Sequence, residues 1–320
     1  MTEFTEKRFT TEDGLSLYYR DYPAATDAKD PLTLLCMPGL TRSSFDFEPL
    51  AAYLAGGRYR ILSVDLRGRG KSDYAEDPMT YIPLTYVKDI EQLLRAEKLE
   101  RVVLIGTSLG GILSMTLAGV SRARLAGVVL NDIGPEIDPA GLDRITRYVG
   151  KTSSFETWEE AVEATRAINA GSFPDYGPED WLAMARRTFR EGDDGLIHPN
   201  YDLNIAVPFS KGASAPANDL WPFFMALKGL PTLVVRGETS DILSGETVTA
   251  MKARYPKLET LTVPGRGHAP YLDEPVVPPR IKSFLDEIPG KRGTARTLWA
   301  KVVAAYHLGR IIKIMRKSAA

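Results

Sequence analysis

Short apolar runs recur along the chain: LTLLCM at 32–37, RILSVD at 60–65, RVVLIG at 101–106, GVVLND at 127–132, TLVVRG at 232–237 and LETLTV at 258–263. Each is four to eight residues long and is bounded by Gly, Pro or charged residues, the pattern of strands buried on both faces. Ahead of them, KRFTT and LSLYYRDY flank a turn at Glu12-Asp13-Gly14 and read as two further strands. Most gaps hold apolar residues at helical spacing, as in FEPLAAYLAG, PLTYVKDIEQLLRAEKL and GGILSMTLAGV. Glu91 and Arg95 add an i,i+4 charge pair. Strands alternating with helices predict a doubly wound, mostly parallel sheet.

The alternation stops at Pro135 and resumes near Leu230. Residues 135–230 contain no convincing strand but four helical segments, AGLDRITRYVG, TWEEAVEATRAINA, PEDWLAMARRTFRE and DLWPFFMALKGL. This predicts a helical insertion after the sixth strand, dividing a core of 1–134 and 231–290. Residues 291–320 carry eight Lys/Arg and no Asp or Glu, with Leu298, Val302, Tyr306, Ile312 and Met315 near helical spacing. They predict a basic amphipathic helix that packs on the main domain or a second subunit, with an anionic membrane surface as the competing partner.

Composition narrows the class. Of 320 residues, 44% are apolar and 25% charged, and 40 basic residues balance 41 acidic ones. No net field favours a nucleic-acid partner. The single cysteine, Cys36, excludes an internal disulfide framework and sits in a buried-type run. The polar start MTEFTEKRFTTEDG lacks the apolar core of a secretory signal, and no run approaches the length of a membrane span; a cytoplasmic address is the default expectation.

One stretch interrupts a strand for a reason other than packing. Gly106-Thr107-Ser108-Leu109-Gly110 ends an apolar run and leads directly into a helix. A G-x-S-x-G turn between strand and helix holds its serine in a strained conformation and projects the hydroxyl above the sheet edge. Gly106 and Gly110 make room where the two arms approach, and Gly111 lets the helix lie close to the sheet. The helix start adds N–H groups where negative charge would develop.

A serine needs a base. Of three histidines, His198 lies in the insertion and His307 in the basic tail. His268, in VPGRGHAPYLDEP, directly follows the last apolar run, where a loop turning at Gly265 and Gly267 brings its imidazole to Ser108. The imidazole needs a carboxylate partner. Candidates at strand ends are Asp241, Glu238, Asp132 and Asp65. The chain order Ser, acid, His favours Asp241 or Glu238 over Asp65. Asp241 is the choice and Asp132 the reserve, while Asp65 in DLRGRGKSD reads as a structural turn. The two oxyanion donors would be the backbone N–H groups of Leu109 and of Leu40, the latter in the loop after LTLLCM, where Gly39 permits close approach.

In order, PGLTRSSFDF, DLRGRGKSD, GTSLGG, RGETSDILS and GRGHAPYLDEP resemble the α/β-hydrolase family over residues 10–288. The resemblance implies an eight-stranded, mostly parallel sheet with a helical cap at 135–230, and Ser108, Asp241 and His268 as nucleophile, acid and base. Some members place the acid after the preceding strand, which is why Asp132 is kept. Many relatives have His-Gly where this chain has Pro38-Gly39, so the oxyanion loop must be braced differently here. The implied activity is hydrolysis of a carboxylic ester, thioester or lactone of modest size through an acyl-enzyme, with no metal or cofactor; a small apolar ester is the expected substrate where aromatics of the insertion face the cleft. Carbon–carbon bond hydrolysis, acyl transfer and ligand reception use the same frame. Trp158, Phe173, Trp181, Phe189, Trp221, Phe223 and Phe224 either line the pocket or fill the insertion's own core.

Overall fold

A computed structural model describes residues 2–151, 153–210 and 219–290. Ten strands and ten α-helices lie in it. Strands β1 (Thr5–Thr10), β2 (Ser16–Tyr22), β3 (Leu32–Met37), β4 (Tyr59–Val64), β5 (Val102–Thr107), β6 (Leu125–Asn131), β9 (Thr232–Gly237) and β10 (Glu259–Val263) form one sheet in the order β1-β2-β4-β3-β5-β6-β9-β10. The first two strands run antiparallel; from β4 to β10 all pairings are parallel.

The apolar runs are continuous because helices cover both faces of this sheet. Along β5, Val102 and Leu104 face one apolar layer, while Val103 and Ile105 face the other. The first layer is completed by α2 (Pro83–Ala96), α3 (Leu109–Val120) and Met251 of α9 (Gly245–Arg254). The second is completed by α1 (Glu48–Leu54) and α10 (Val277–Asp286), through Leu50, Leu54, Ile281 and Phe284. On α2 the Arg95–Glu91 pair forms at 3.6 Å.

Between β6 and β9 lie α4 (Pro139–Tyr148), α5 (Trp158–Asn169), α6 (Pro178–Thr188), β7 (Phe189–Glu191), β8 (Ile197–Pro199), α7 (Ala206–Ser210) and α8 (Trp221–Met225). The β7–β8 hairpin corrects the strand-free reading of this segment. Its strands are three residues each, too short to show a period of two, and they turn through Gly195 at a φ of 77°. Phe189 and Ile197 close the hairpin onto Ala161 and Ala185 of α5 and α6.

The aromatic residues of this segment mostly stabilise it. Phe173 and Trp181 pack with Met184, and Phe223 and Phe224 join the main core. Trp221 lies under the Arg254 guanidinium and Trp158 under that of Arg186. No helix among the described residues is long and apolar enough to cross a membrane. The predicted basic helix at 291–320 lies outside the described residues.

Candidate active site

Parallel pairing delivers the chemistry to one edge. Thr107 of β5 is level with Asn131 of β6, so the next residues, Ser108 and Asp132, leave neighbouring strands side by side. Ser108 takes φ 51° and ψ −111°, left-handed backbone that an L-residue holds only where its surroundings enforce it. Its N–H donates to the Asn131 carbonyl at 3.0 Å, and its own carbonyl accepts from Gly111 and Ile112 as α3 begins. A Cβ on Gly106 would overlap the Gly110 carbonyl, and one on Gly110 the Met37 carbonyl. These two glycines let strand, helix and the neighbouring β3 close around the serine.

His268 arrives in the loop after β10. Its Nε2 lies 2.9 Å from Ser108 Oγ and its Nδ1 2.8 Å from Asp132 Oδ2. The carboxylate accepts only, so it fixes the tautomer: Nδ1–H donates to Asp132, and Nε2 accepts the Ser108 hydroxyl proton. Asp132 is fully buried, also at a positive φ of 56°, which a short polar side chain tolerates. Gly237 N–H donates to its Oδ1 at 2.8 Å and Ser240 Oγ–H to its Oδ2 at 2.6 Å. A Cβ on Gly237 would strike the Gly267 carbonyl, so the end of β9 and the histidine loop touch only because that residue is glycine.

Asp241, the residue chosen from the sequence, is not at the imidazole. Its carboxylate is bound bidentately by Arg144 of α4, at 2.6 Å from Nε and 2.9 Å from Nη2. Asp132 holds the position beside His268 instead, because β6 lies between β5 and β9 and its end is one strand nearer Ser108. Burial pushes the Asp241 carboxyl up, but the Arg144 hydrogen bonds outweigh it and hold the group below the usual carboxylate range. Glu238 accepts from Gly265 N–H at 2.9 Å and steadies the histidine loop. Asp65 is a structural clamp: its carboxylate accepts from Ser44 N–H at 2.6 Å and Lys71 N–H at 2.9 Å. His198 bonds Ser154 and Asp194 within the inserted segment, and His307 lies outside the described residues.

Leu40 and Ser108 line one cleft. The Leu40 carbonyl accepts from Nε of the fully buried Arg69 at 2.8 Å, and Arg69 Nη1 donates to Tyr86 at 2.9 Å. That arginine, from DLRGRG, braces the loop in which Pro38 replaces the more familiar histidine. Leu109 opens α3, where the first N–H groups have no acceptor within the helix. Gly39 has ordinary room for a Cβ, 3.5 Å from Arg42 and 3.9 Å from Ser108, so close approach is not what selects glycine there.

The rest of the cleft is more polar than the aromatic reading implied. Of the seven aromatics singled out, Phe173 lines it, beside Tyr148, Tyr271, Asn169, Arg42 and Arg144. Arg42 ties three elements together: it binds Asp46 bidentately at 2.9 and 2.6 Å, and donates to Thr188 of α6 and to Tyr271 Oη. Gly267 N–H donates to the Ser172 carbonyl at 2.8 Å, where a Cβ would meet Ser172. The inserted segment therefore seats directly on the histidine loop.

Sequence reasoning missed Asn131. It is fully buried, and its Nδ2 donates to the Pro270 carbonyl at 2.7 Å and to Thr107 Oγ1 at 3.1 Å, linking the loops that carry Ser108 and His268. Only its place next to Asp132 at a strand end could have signalled it. Ser240 was missed for a similar reason, being one of several polar residues in GETSD.

Comparison with known proteins agrees with this frame. A model of the alpha/beta hydrolase family matches residues 34–277. The chain is 38% identical over 258 residues to a 3-hydroxybutyrate-oligomer hydrolase of Cupriavidus necator, covering 78% of this chain and 86% of that one. It is 31% identical over 241 residues to a 2-(acetamidomethylene)succinate hydrolase of Mesorhizobium japonicum, covering 75% and 82%. A crystal structure of an alpha/beta hydrolase from Novosphingobium aromaticivorans superposes with a TM-score of 0.85 at 47% identity, covering 90% of this chain and all of that one. With a nucleophile elbow, a buried carboxylate and a bridging imidazole on this sheet, the chain belongs to the alpha/beta hydrolase family.

Proposed function

We propose that the protein is a serine hydrolase that cleaves a carboxylic ester of modest size, with Ser108 as nucleophile, His268 as general base and acid, and Asp132 as the carboxylate that orients it. The observation that carries this reading is the unbroken pair of hydrogen bonds through His268, 2.9 Å to Ser108 and 2.8 Å to Asp132. Ser108 Oγ attacks the ester carbonyl while its proton passes to Nε2. The oxyanion is met by the N–H groups of Leu109 and Leu40. As the tetrahedral intermediate collapses, Nε2–H protonates the leaving alcohol. Water then enters, gives a proton to Nε2 and attacks the acyl-serine; the carboxylic acid leaves as Ser108 recovers the proton. The helices after β6 act as a cap that shapes the cleft. The relative that hydrolyses 3-hydroxybutyrate oligomers supports a short hydroxyacid ester as substrate.

A fluorophosphonate probe with purified protein tests the mechanism. Wild type labels at Ser108 and Ser108→Ala does not; an unlabelled wild type, or equal labelling of the variant, overturns it. The linear dimer of 3-hydroxybutyrate and p-nitrophenyl esters then test the bond type. The likeness to a 2-(acetamidomethylene)succinate hydrolase favours a second reading, attack by the same serine on a non-ester acyl group. Enamide turnover without ester turnover would select that reading.

A further inference from the structure

Two arginines line the cleft, and their bonding sets them apart. Arg42 has all three guanidinium nitrogens engaged, with Asp46, Thr188 and Tyr271 as partners. Arg144 uses Nε and Nη2 on Asp241, and its Nη1 has no hydrogen-bond partner among the described residues. Of five N–H donors, three remain: both on Nη1 and the second on Nη2. Two of these, one on each Nη, lie along the Nη1/Nη2 edge, the spacing that receives a carboxylate through two parallel hydrogen bonds.

Position matches this chemistry. Arg144, Ile145 and Tyr148 present one face of α4 to the cleft that holds Ser108 and His268. Close packing fixes that face: a Cβ on Gly141 would overlap the Asp241 carbonyl, so α4 rests against the loop after β9. Asp241 thus holds the guanidinium by one edge and leaves the other open. The Asp132 carboxylate lies within electrostatic reach of Arg144.

We infer that the open edge of Arg144 is a binding subsite for a free carboxylate on the substrate, so that the preferred ester is an anion rather than the apolar ester expected from the aromatics of the insertion. Asp241, vacant of a triad role, is the residue that aims it. This rests on the reading of the site as a serine hydrolase and narrows its substrate class. Both hydrolase relatives are consistent with it, since a linear hydroxybutyrate oligomer ends in a carboxylate and a succinate carries two.

The test uses two probes that share one scissile bond, the linear 3-hydroxybutyrate dimer and its methyl ester. In wild type, kcat/KM for the acid exceeds that for the methyl ester. In Arg144→Met, which keeps the stem and removes the donors, the acid-to-ester ratio falls roughly 10–100-fold, the span expected for hydrogen bonds to a charged group. Asp241→Asn keeps the cation and, through its amide oxygen, one acceptor for Arg144, so the preference for the acid falls less than in Arg144→Met. A ratio unchanged in Arg144→Met, or lost equally in Asp241→Asn, overturns the inference. Calorimetric binding of the same two probes to Ser108→Ala supplies a readout free of turnover. If wild type cleaves neither dimer, ester hydrolysis fails as a function, and tighter binding of the acid than the methyl ester, abolished by adding Arg144→Met, still upholds the subsite; equal binding of the two overturns it.

Discussion

Asp132 and Asp241 are both acids at strand ends on the edge that carries Ser108, yet their surroundings give them opposite work. Asp132 is enclosed by donors from Gly237, Ser240 and His268, whereas Asp241 faces a cation on α4. Asp132→Asn is expected to lower kcat by about 10³–10⁴-fold, because an amide no longer selects the productive imidazole tautomer. Asp241→Asn should lower kcat at least about 100-fold less than that. Steady-state kinetics on one ester, with circular dichroism as a fold control, separates the two; equal losses would contradict the assignment. Cys36 offers a second check at this scale. It is fully buried in β3, and burial pushes its thiol well above the ordinary range. Thiolate, the reactive form, is therefore scarce and enclosed. Native protein should leave a chromogenic disulfide reagent unreacted, and one thiol per chain should appear on addition of denaturant.

The strand–turn–helix formed by β5, Ser108 and α3 is the element on which the site depends. Its geometry follows from three glycines: side chains at 106 and 110 would overlap backbone carbonyls, and one at 111 would overlap Ile133. These carbonyls belong to the first turn of α3 and to the end of β3, and cannot retreat as a side chain would. Gly106→Ala should therefore cost about 1–3 kcal/mol or more and displace Ser108 from His268. A lower urea midpoint together with lost fluorophosphonate labelling is the expected result; unchanged labelling would show that the turn absorbs the methyl group. Such a turn was legible from five residues because its constraint is local. The support of the acid was not, since its donors, Gly237 at the end of β9 and Ser240 in the loop after it, lie 105 and 108 residues from Asp132 along the chain.

At the scale of the molecule, a buried charge network fastens the loop after β4 to the rest of the core. Arg67 binds Asp89 of α2 at 2.7 and 2.6 Å and Asp13 at 2.7 and 3.1 Å. The Arg67 hydrogen bonds hold the Asp13 carboxyl at about 2, against an ordinary 3.8. The folded-state value is depressed, so the contribution of Asp13 is fully present above about pH 4 and is lost as pH falls toward 2. The gap in urea midpoint between wild type and Asp13→Asn should be open at pH 6 and narrow steadily below pH 4. A gap independent of pH would mean that charge is not its source.

By itself the sequence determined the sheet and its covering helices, because buried parallel strands must be apolar throughout and helices must show one apolar stripe. It also singled out Ser108 and His268, which the fold brings within 2.9 Å of each other, because a G-x-S-x-G turn and a histidine after the last strand are local patterns. Only the tertiary structure decided which carboxylate meets the imidazole. Chain order left Asp241, Glu238 and Asp132 all open and the choice fell on Asp241, but lateral strand order sets distance, and β6 stands between β5 and β9. The same packing turned α4 toward the site and bound Asp241 to Arg144, a pairing 97 residues apart that no periodicity encodes. It likewise drew most aromatics of the inserted segment into packing and left charged groups at the cleft. Contacts between separate elements depend on how sheet and helices are layered, and that layering is a property of the whole fold.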